Sequence, residues 1–128
     1  MTPEARKLLA LALPTVQDYG VLLLDRRGTV LAWLCGAEDI FGYTAEEMVG
    51  RAVSVLFTPE DLEKGLDALE LEVAARDSSS QDDRWHVRKD GIRIWASGSV
   101  TALKDDSGLV GFIKVLRDRT DLRIATEN

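Results

Sequence analysis

The stretch that decides the fold runs from residue 84 to residue 100: Arg84-Trp85-His86-Val87-Arg88-Lys89-Asp90-Gly91, then Ile92-Arg93-Ile94-Trp95-Ala96-Ser97-Gly98-Ser99-Val100. Aromatic and β-branched residues on both sides of the Asp-Gly pair predict two antiparallel strands joined by a tight turn. A second turn, Asp105-Asp106-Ser107-Gly108, leads into an apolar run from Leu109 to Leu116. The second half of the chain therefore predicts three consecutive antiparallel strands.

The first half supplies two more predicted strands and the helices that would cover one face of the sheet. Apolar segments 19–25 and 29–35 flank the turn Asp25-Arg26-Arg27-Gly28 and indicate a hairpin. Thr58-Pro59 opens the longest predicted helix, because threonine caps a helix and proline fits its first turn. The residues that would form its sheet-facing stripe are Leu62, Leu66, Leu69 and Val73. We therefore expect an α+β fold: a five-stranded antiparallel sheet with short helices and one longer helix over one face, plus an N-terminal amphipathic helix.

Length and composition point to one cytoplasmic domain. The chain has 128 residues and a net charge of −6, which argues against nucleic acid and anionic membranes as partners. Its single cysteine cannot form an internal disulfide, and no apolar run approaches the roughly 20 residues of a membrane span. The expected boundaries are a flanking helix at 1–15, a central domain at 16–120 and the start of a C-terminal linker or signalling helix at 121–128.

The residue inventory does not predict an enzyme. The sequence contains no nucleophile elbow and no glycine loop that would cradle phosphates. The acid pairs Glu46-Glu47 and Asp105-Asp106 fall at a helix start and a turn, where a structural role is sufficient. One histidine, His86, and one cysteine, Cys35, cannot supply a structural zinc site. We expect no catalytic residues and no metal.

Several short motifs occur together in a known family. Phe41-Gly42-Tyr43-Thr44-Ala45-Glu46-Glu47, Arg88-Lys89-Asp90-Gly91 and Arg117-Asp118-Arg119-Thr120 follow one another in the chain. In this order they resemble the PAS sensory domain over residues 16–120. The resemblance implies a sensor or dimerisation module, as in bacterial sensor kinases and two-component systems, that regulates an attached output domain such as a histidine kinase. It implies a signal exit at Asp118 and Thr120, which would fix the strand-to-helix junction by hydrogen bonds, with Thr120 as a helix cap.

The resemblance also bears on cofactors. Flavin photosensors of this family carry a reactive cysteine in the segment that is Ala52-Val53-Ser54-Val55 here, and Cys35 lies elsewhere. Haem sensors typically bind iron through a histidine on the long helix, and residues 59–76 contain none. Many relatives have Trp-Asn where this chain has Trp33-Leu34-Cys35, which removes a polar anchor. The cofactor therefore stays unknown: no cofactor and a non-covalent flavin are the alternatives, and haem is disfavoured.

The candidate binding site is the inner face of the sheet. Alternation along 92–102 places Ala96 and Gly98 inward. Their small size leaves a space that is either a ligand cavity or filled from the long helix, and both alternatives stay open. The candidate pocket lining is His86, Ala96, Gly98, Phe41, Val53, Leu66, Leu69 and Ile113.

The loop at Lys89-Asp90-Gly91 decides which residue faces this pocket. A two-residue loop would point Trp85 inward, whereas a three-residue loop would pair Trp85 with Trp95 and turn His86 inward. We favour the three-residue loop, because the family usually has an inward apolar residue at the position of His86. His86 would then be a polar group inside the pocket that can donate or accept a hydrogen bond near neutral pH.

The same register predicts an apolar stripe on the outer face: Trp85, Val87, Trp95, Phe112 and Leu116. Such a stripe is too apolar to face water, so either the N-terminal helix, through Leu8 and Leu9, or a second subunit covers it. We favour a homodimer. The expected function is a sensory module that senses a small ligand or cofactor, dimerises, or does both, and so regulates its output domain. The alternatives are a ligand-free protein-interaction domain and a non-covalent flavin redox sensor.

Overall fold

The computed structural model of the chain describes residues 1–127 and contains six helices and six strands within them. The helices are α1 Pro3–Ala12, α2 Ala37–Phe41, α3 Ala45–Met48, α4 Pro59–Glu63, α5 Leu66–Asp77 and α6 Thr120–Glu127. The strands are β1 Gly20–Leu24, β2 Val30–Cys35, β3 Ser79–Gln81, β4 Arg84–Val87, β5 Arg93–Asp105 and β6 Gly108–Asp118. Short 3-10 helices occur at Leu13–Thr15 and Val53–Leu56.

The strands form one antiparallel sheet in the order β2-β1-β6-β5, and both β3 and β4 pair with the free edge of β5. β4 pairs with the first part of β5, and β3 pairs with Ser99–Thr101 further along it. The sheet is therefore five positions wide, as the sequence predicts, but its edge position is filled by two short strands. The additional strand is β3, which consists of three polar residues, Ser79, Ser80 and Gln81. Asp82 lies between the end of β3 and the start of β4, where this edge of the sheet is interrupted.

The turn between β4 and β5 confirms the three-residue loop. Trp85 pairs with Trp95 and His86 pairs with Ile94. Gly91 adopts a φ of +86°, a left-handed conformation that glycine reaches without steric strain. His86, Ile94 and the small inward residues of β5 consequently share the face that the helices cover.

β6 presents the opposite face from the one that the sequence predicts. Leu103 and Lys104 of β5 pair with Gly111 and Leu109 of β6, so Val110 is an extra, unpaired residue. This β-bulge shifts the register by one residue and exchanges the two faces of the strand beyond it. Phe112 and Leu116, predicted on the outer face, are therefore buried in the core, and Ile113, predicted in the pocket, lies on the outer face.

The single long helix of the sequence prediction is two helices. Gly65, with a φ of +70°, separates α4 from α5, and the break rotates the second helix relative to the predicted stripe. Leu62 and Leu69 are 40% and 47% exposed, so the stripe does not face the sheet as predicted. The residues of α5 that are buried are Glu70 and Ala74.

The core lies between the inner face of the sheet and the helices. Its members from the sheet include Leu22, Leu24, Trp33, Ile94, Ala96, Val100, Phe112 and Leu116, and those from the covering segments include Ala37, Ile40, Phe41, Met48, Val53 and Leu56. α1 stands apart from this core and buries none of its residues. Within residues 1–127, no helix combines the length and apolar character needed to cross a membrane.

Candidate functional site

A charged side chain lies at the centre of the inner face. The bulge in β6 turns Lys114 inward, where it is fully buried. Its Nζ donates to Glu70 Oε1 at 2.7 Å and lies 3.0 Å from Asp82 Oδ2. The same ammonium lies 4.7 Å from the centroid of the Phe57 ring. Lys114 thus joins a helix, α5, to the break in the edge strand through two carboxylates.

The His86 side chain bonds to one of these carboxylates. Its Nε2 lies 3.0 Å from Asp82 Oδ2, and its Nδ1 lies 2.9 Å from the backbone carbonyl of Leu56. The edge of its ring faces Phe57, with the two ring centroids 4.8 Å apart. His86 and Asp82 are both fully buried. His86 therefore ties β4 to the 3-10 helix that precedes α4.

Arg84 closes the cluster toward solvent. Its Nε donates to Asp82 Oδ1 at 2.8 Å, and its Nη2 lies 3.3 Å from Glu70 Oε2. A longer contact of 3.9 Å joins its Nη1 to Asp61 Oδ2 of α4. Glu70 Oε2 is buried and, among the residues that the structure describes, no group donates a hydrogen bond to it. We call Glu70, Asp82, Arg84, His86 and Lys114 the buried charge cluster.

Burial and mutual charge perturb these groups strongly. Burial raises the pKa of Glu70 to about 7, the negative charge of Asp82 adds to the effect, and Lys114 opposes it. Burial alone would also raise the pKa of Asp82, but the Lys114 charge and the His86 hydrogen bond outweigh it and hold that pKa well below its usual range. Burial lowers the pKa of His86, and the nearby Lys114 charge acts in the same direction.

The arrangement can hold a proton, but it offers little room for a molecule. A Cβ added at Gly98 would lie 1.9 Å from the carbonyl oxygen of Val115, so β6 backbone fills the space next to that glycine. Two cavities open elsewhere: one of about 110 Å³ is lined by Gly28, Val53 and Leu71 among others, and a more open one of about 320 Å³ lies at the surface beside Gly42, Arg88, Lys89 and Asp90. Ligand pockets usually measure roughly 300–1,000 Å³. Across residues 1–127, no three His, Cys, Asp or Glu side chains are grouped to hold a metal ion.

The junction between β6 and α6 is tied to β5 by hydrogen bonds. The Thr120 hydroxyl accepts from the Trp95 backbone N–H at 2.9 Å and donates to Asp118 Oδ1 at 2.5 Å. The Arg119 N–H donates to the Trp95 carbonyl at 2.7 Å. Thr120 is the first residue of α6, and its backbone N–H donates to Asp118 Oδ1 at 3.0 Å.

The outer face next to this junction carries two tryptophans. The rings of Trp85 and Trp95 meet edge to face, with centroids 5.4 Å apart. The Arg123 guanidinium of α6 lies over the Trp95 ring, 4.3 Å from its centroid. Leu8 and Leu9 of α1, predicted as cover for this face, are 61% and 45% exposed. Within the chain, part of that cover comes from the exit helix.

Comparison with known proteins identifies the family. The model of the PAS domain family matches residues 18–121. The chain belongs to the PAS domain family. It is 39% identical over 111 residues to a two-component system protein A of Emericella nidulans. That match covers 87% of this chain but only 16% of the relative, so the chain spans about a sixth of that protein.

Solved PAS structures share the fold. The PAS domain of a protein from Colwellia psychrerythraea superposes on this chain with a TM-score of 0.82 at 23% identity. The match covers 91% of this chain and 98% of that domain's chain. A domain of a sensory box sensor histidine kinase/response regulator from Geobacter sulfurreducens gives a TM-score of 0.68 at 18% identity. That match covers 90% of this chain and 94% of the other. These likenesses support the fold of the chain as a PAS domain. The sequence resembles bacterial sensor kinases, whereas the two-component relative is fungal, so a bacterial source stays a prediction.

The residues predicted to line a pocket in this PAS domain are only partly brought together. His86, Ala96, Phe41 and Val53 are buried, Leu66 is half-buried, Leu69 is exposed and Ile113 faces the other way. Sequence reasoning missed Glu70, Asp82, Arg84 and Lys114. One signal was available for Lys114, since a lone lysine interrupts the apolar run Phe112-Ile113-Lys114-Val115-Leu116. Asp82 and Glu70 stand among other polar residues and carry no such signal.

Proposed function

We propose that this PAS domain is a sensory signalling module that regulates an attached output domain within a two-component system protein. The relative from Emericella nidulans supports the setting, because most of its length lies outside the matched segment. The observation that carries the proposal is the exit junction, where Thr120 and Arg119 bond α6 to the backbone of Trp95. A change in β4 or β5 would alter these bonds and so the position of α6.

We propose no catalytic activity for the domain. The three groups whose pKa values burial perturbs, Glu70, Asp82 and His86, are paired with one another or with Lys114, so they have no access to a substrate. The sequence has no nucleophile motif that would use them. The output chemistry is therefore assigned to a domain outside this chain, and a histidine kinase is the kind of output that the two-component relative suggests.

We also propose a homodimer. α1 exposes Leu8, Leu9 and Leu11, and none of its residues is buried by the rest of the chain. An amphipathic helix with an unburied apolar face is normally stabilised by packing against a partner. A second copy of this chain, with α1 of each subunit against the other, would bury these leucines. Trp85 and Trp95, which are half-buried within one chain, lie on the sheet face available to extend that interface.

The filled interior favours a sensor that does not enclose a large ligand. Gly98 is closed by the backbone of β6, and Ala96 is fully buried beneath the helices. A non-covalent flavin would need several times the volume of the 110 Å³ cavity beside Val53. The ligand-free interaction domain is the second candidate. A visible absorption spectrum of freshly purified protein tests the flavin alternative directly.

The exit junction is tested by Thr120→Val. This substitution keeps the shape of the side chain but removes the hydroxyl that bonds Trp95 and Asp118. We expect amide hydrogen exchange to accelerate throughout α6, while β5 and β6 keep their protection, because the net value of such a bond is about 1 kcal/mol. Thr101→Val is the matched control, because Thr101 lies on the same face of β5 as Trp95 but is distant from α6. Unchanged amide hydrogen exchange in α6 would show that the Thr120 hydroxyl does not hold this helix, and would contradict the role proposed for the exit junction.

A further inference from the structure

We propose that the buried charge cluster is a proton-binding site, and that gain or loss of one proton on Glu70 is the stimulus that this domain senses. The inference deepens the sensory role proposed above and rests on it for its effect on an output domain. The charged and titratable groups around Glu70 come from four segments: Lys114 of β6 and Arg84 of β4 contact it directly, and Asp82 of the edge break, His86 of β4 and Asp61 of α4 are connected to it through them.

The positions of the two carboxylates favour a proton on one of them. Glu70 and Asp82 both contact the single Lys114 ammonium, at 2.7 and 3.0 Å. Two carboxylates that share a buried site resist being ionised together, so one of them retains its proton. Asp82 is held ionised by Lys114, Arg84 and His86, each within 3.0 Å. Glu70 is the carboxylate that remains to be protonated.

The second carboxyl oxygen of Glu70, which lies 3.3 Å from Arg84 Nη2, provides a place for that proton. Oε1 of this residue accepts from Lys114, whereas Oε2 accepts no hydrogen bond within the part of the chain that the structure describes. A buried ionised carboxylate normally accepts bonds on both oxygens. A neutral carboxyl needs fewer donors but requires an acceptor for its O–H, and the neighbouring Asp82 carboxylate is the group that can accept it. The side chain as it stands therefore suits the protonated form.

His86 competes for the same proton but is the weaker site. Its two nitrogens face two acceptors, the Leu56 carbonyl and the Asp82 carboxylate, and a neutral ring has only one N–H to donate. Burial and the Lys114 charge lower the pKa of the ring, and together they outweigh Asp82 and the Leu56 carbonyl, which raise it. Glu70 is disposed the opposite way, since burial raises its pKa to about 7. The two groups interact through Asp82, so they titrate as one coupled system.

Loss of the proton would change a contact between α5 and β4. Above neutral pH the ionised Glu70 attracts the Arg84 guanidinium, 3.3 Å away, and below it the neutral carboxyl attracts it less. Trp85 follows Arg84 in β4, and its ring packs against Trp95. The Trp95 ring lies beneath Arg123 of α6 and its backbone holds Thr120. A proton on Glu70 is thus linked to the exit helix through adjacent residues of β4 and β5.

The experiment is a pH titration of the whole 128-residue chain by NMR, with the Glu70 side-chain carboxyl carbon and the indole N–H groups of Trp85 and Trp95 as probes. We expect the Glu70 carboxyl to titrate with a midpoint near 7. The two indole signals should shift with the same midpoint. Glu70→Gln, which imitates the neutral carboxyl, should abolish the indole transition. Glu72→Gln, at an exposed position on the same helix, is the matched control and should preserve it.

Three results would overturn the proposal. A Glu70 carboxyl that titrates below pH 5 would show an ordinary acid, and the cluster would then be only a structural ion network. An indole transition that persists in Glu70→Gln would assign the proton to His86. Indole chemical shifts that do not change as Glu70 titrates would show that its protonation does not affect β4 and β5. If Glu70→Gln does not fold, the titration of the unmodified chain decides alone. None of these results bears on the exchange of α6 in Thr120→Val, which tests the sensory role separately.

Discussion

Removal of the Lys114 charge is the sharpest test of how the interior is held together. Lys114→Met keeps a side chain of similar length and removes the ammonium that contacts Glu70 and Asp82 at 2.7 and 3.0 Å. At pH 8.5 both carboxylates would be left buried with Arg84 as their remaining cationic partner. Breaking one partner of a buried ion pair costs about 3–5 kcal/mol, so we expect a loss of stability in that range.

The loss should shrink as pH falls. Without Lys114, the pKa of Glu70 would rise above its value of about 7, because the opposing positive charge is gone. Between the old and the new pKa the variant's folded state binds more protons than that of the wild type. Its stability relative to wild type therefore decreases with rising pH, by up to about 1.4 kcal/mol per pH unit. At pH 6, with Glu70 already neutral in both proteins, the difference should be smaller by about 2 kcal/mol or more.

Urea unfolding followed by circular dichroism at pH 6 and pH 8.5 measures both quantities. Lys104→Met, at an exposed position of β5, is the control and should change stability by less than about 0.5 kcal/mol. Adding Glu70→Gln to Lys114→Met should recover part of the loss at pH 8.5, since only Asp82 then remains ionised. A loss below about 1 kcal/mol at pH 8.5, or an equal loss at both pH values, would refute the electrostatic account.

Two further predictions concern the packing and the assembly. Gly98→Ala should lower the free energy of unfolding by at least about 2 kcal/mol, since its Cβ would overlap the Val115 carbonyl, whereas Ser99→Ala on the other face should have little effect in the same urea assay. The proposed homodimer predicts that sedimentation at high micromolar concentration detects a dimer, and that the double substitution Leu8→Ser with Leu9→Ser shifts the chain to monomer. A monomeric wild-type chain under these conditions would contradict the dimer.

Much of the fold follows from local patterns in the sequence. The Thr44 capping box forms as its spacing predicts, with both reciprocal hydrogen bonds present. The left-handed Gly91 fixes the three-residue turn and hence the inward position of His86. Each of these features is decided within a few residues of chain. The side-chain alternation within β5 is likewise a local property and places Ile94, Ala96 and Val100 in the core.

The candidate site could not be predicted because its position depends on relations between distant elements. Alternation within β6 defines two faces but does not say which one meets the helices, and one unpaired residue, Val110, decides that question. On the helix side, Gly65 ends α4 and rotates α5, so that Glu70 replaces the predicted leucines at the sheet. The break at Asp82 depends in turn on β3 and β4 pairing with separate parts of β5.

These irregularities support one another energetically. In the unbulged register, Ile113 and Val115 would face the helices, and Phe112 and Leu116 would lose their places in the core. The inward position of Lys114 exists only with the bulge, and without this cation Glu70 and Asp82 would be buried together with Arg84 as their remaining cationic partner. Two effects therefore select which face of β6 points inward: the burial of Phe112 and Leu116, and the pairing of Lys114 with the two carboxylates. An ion pair that adds little net stability can still select this register, because the alternative register takes the Lys114 ammonium away from two buried carboxylates.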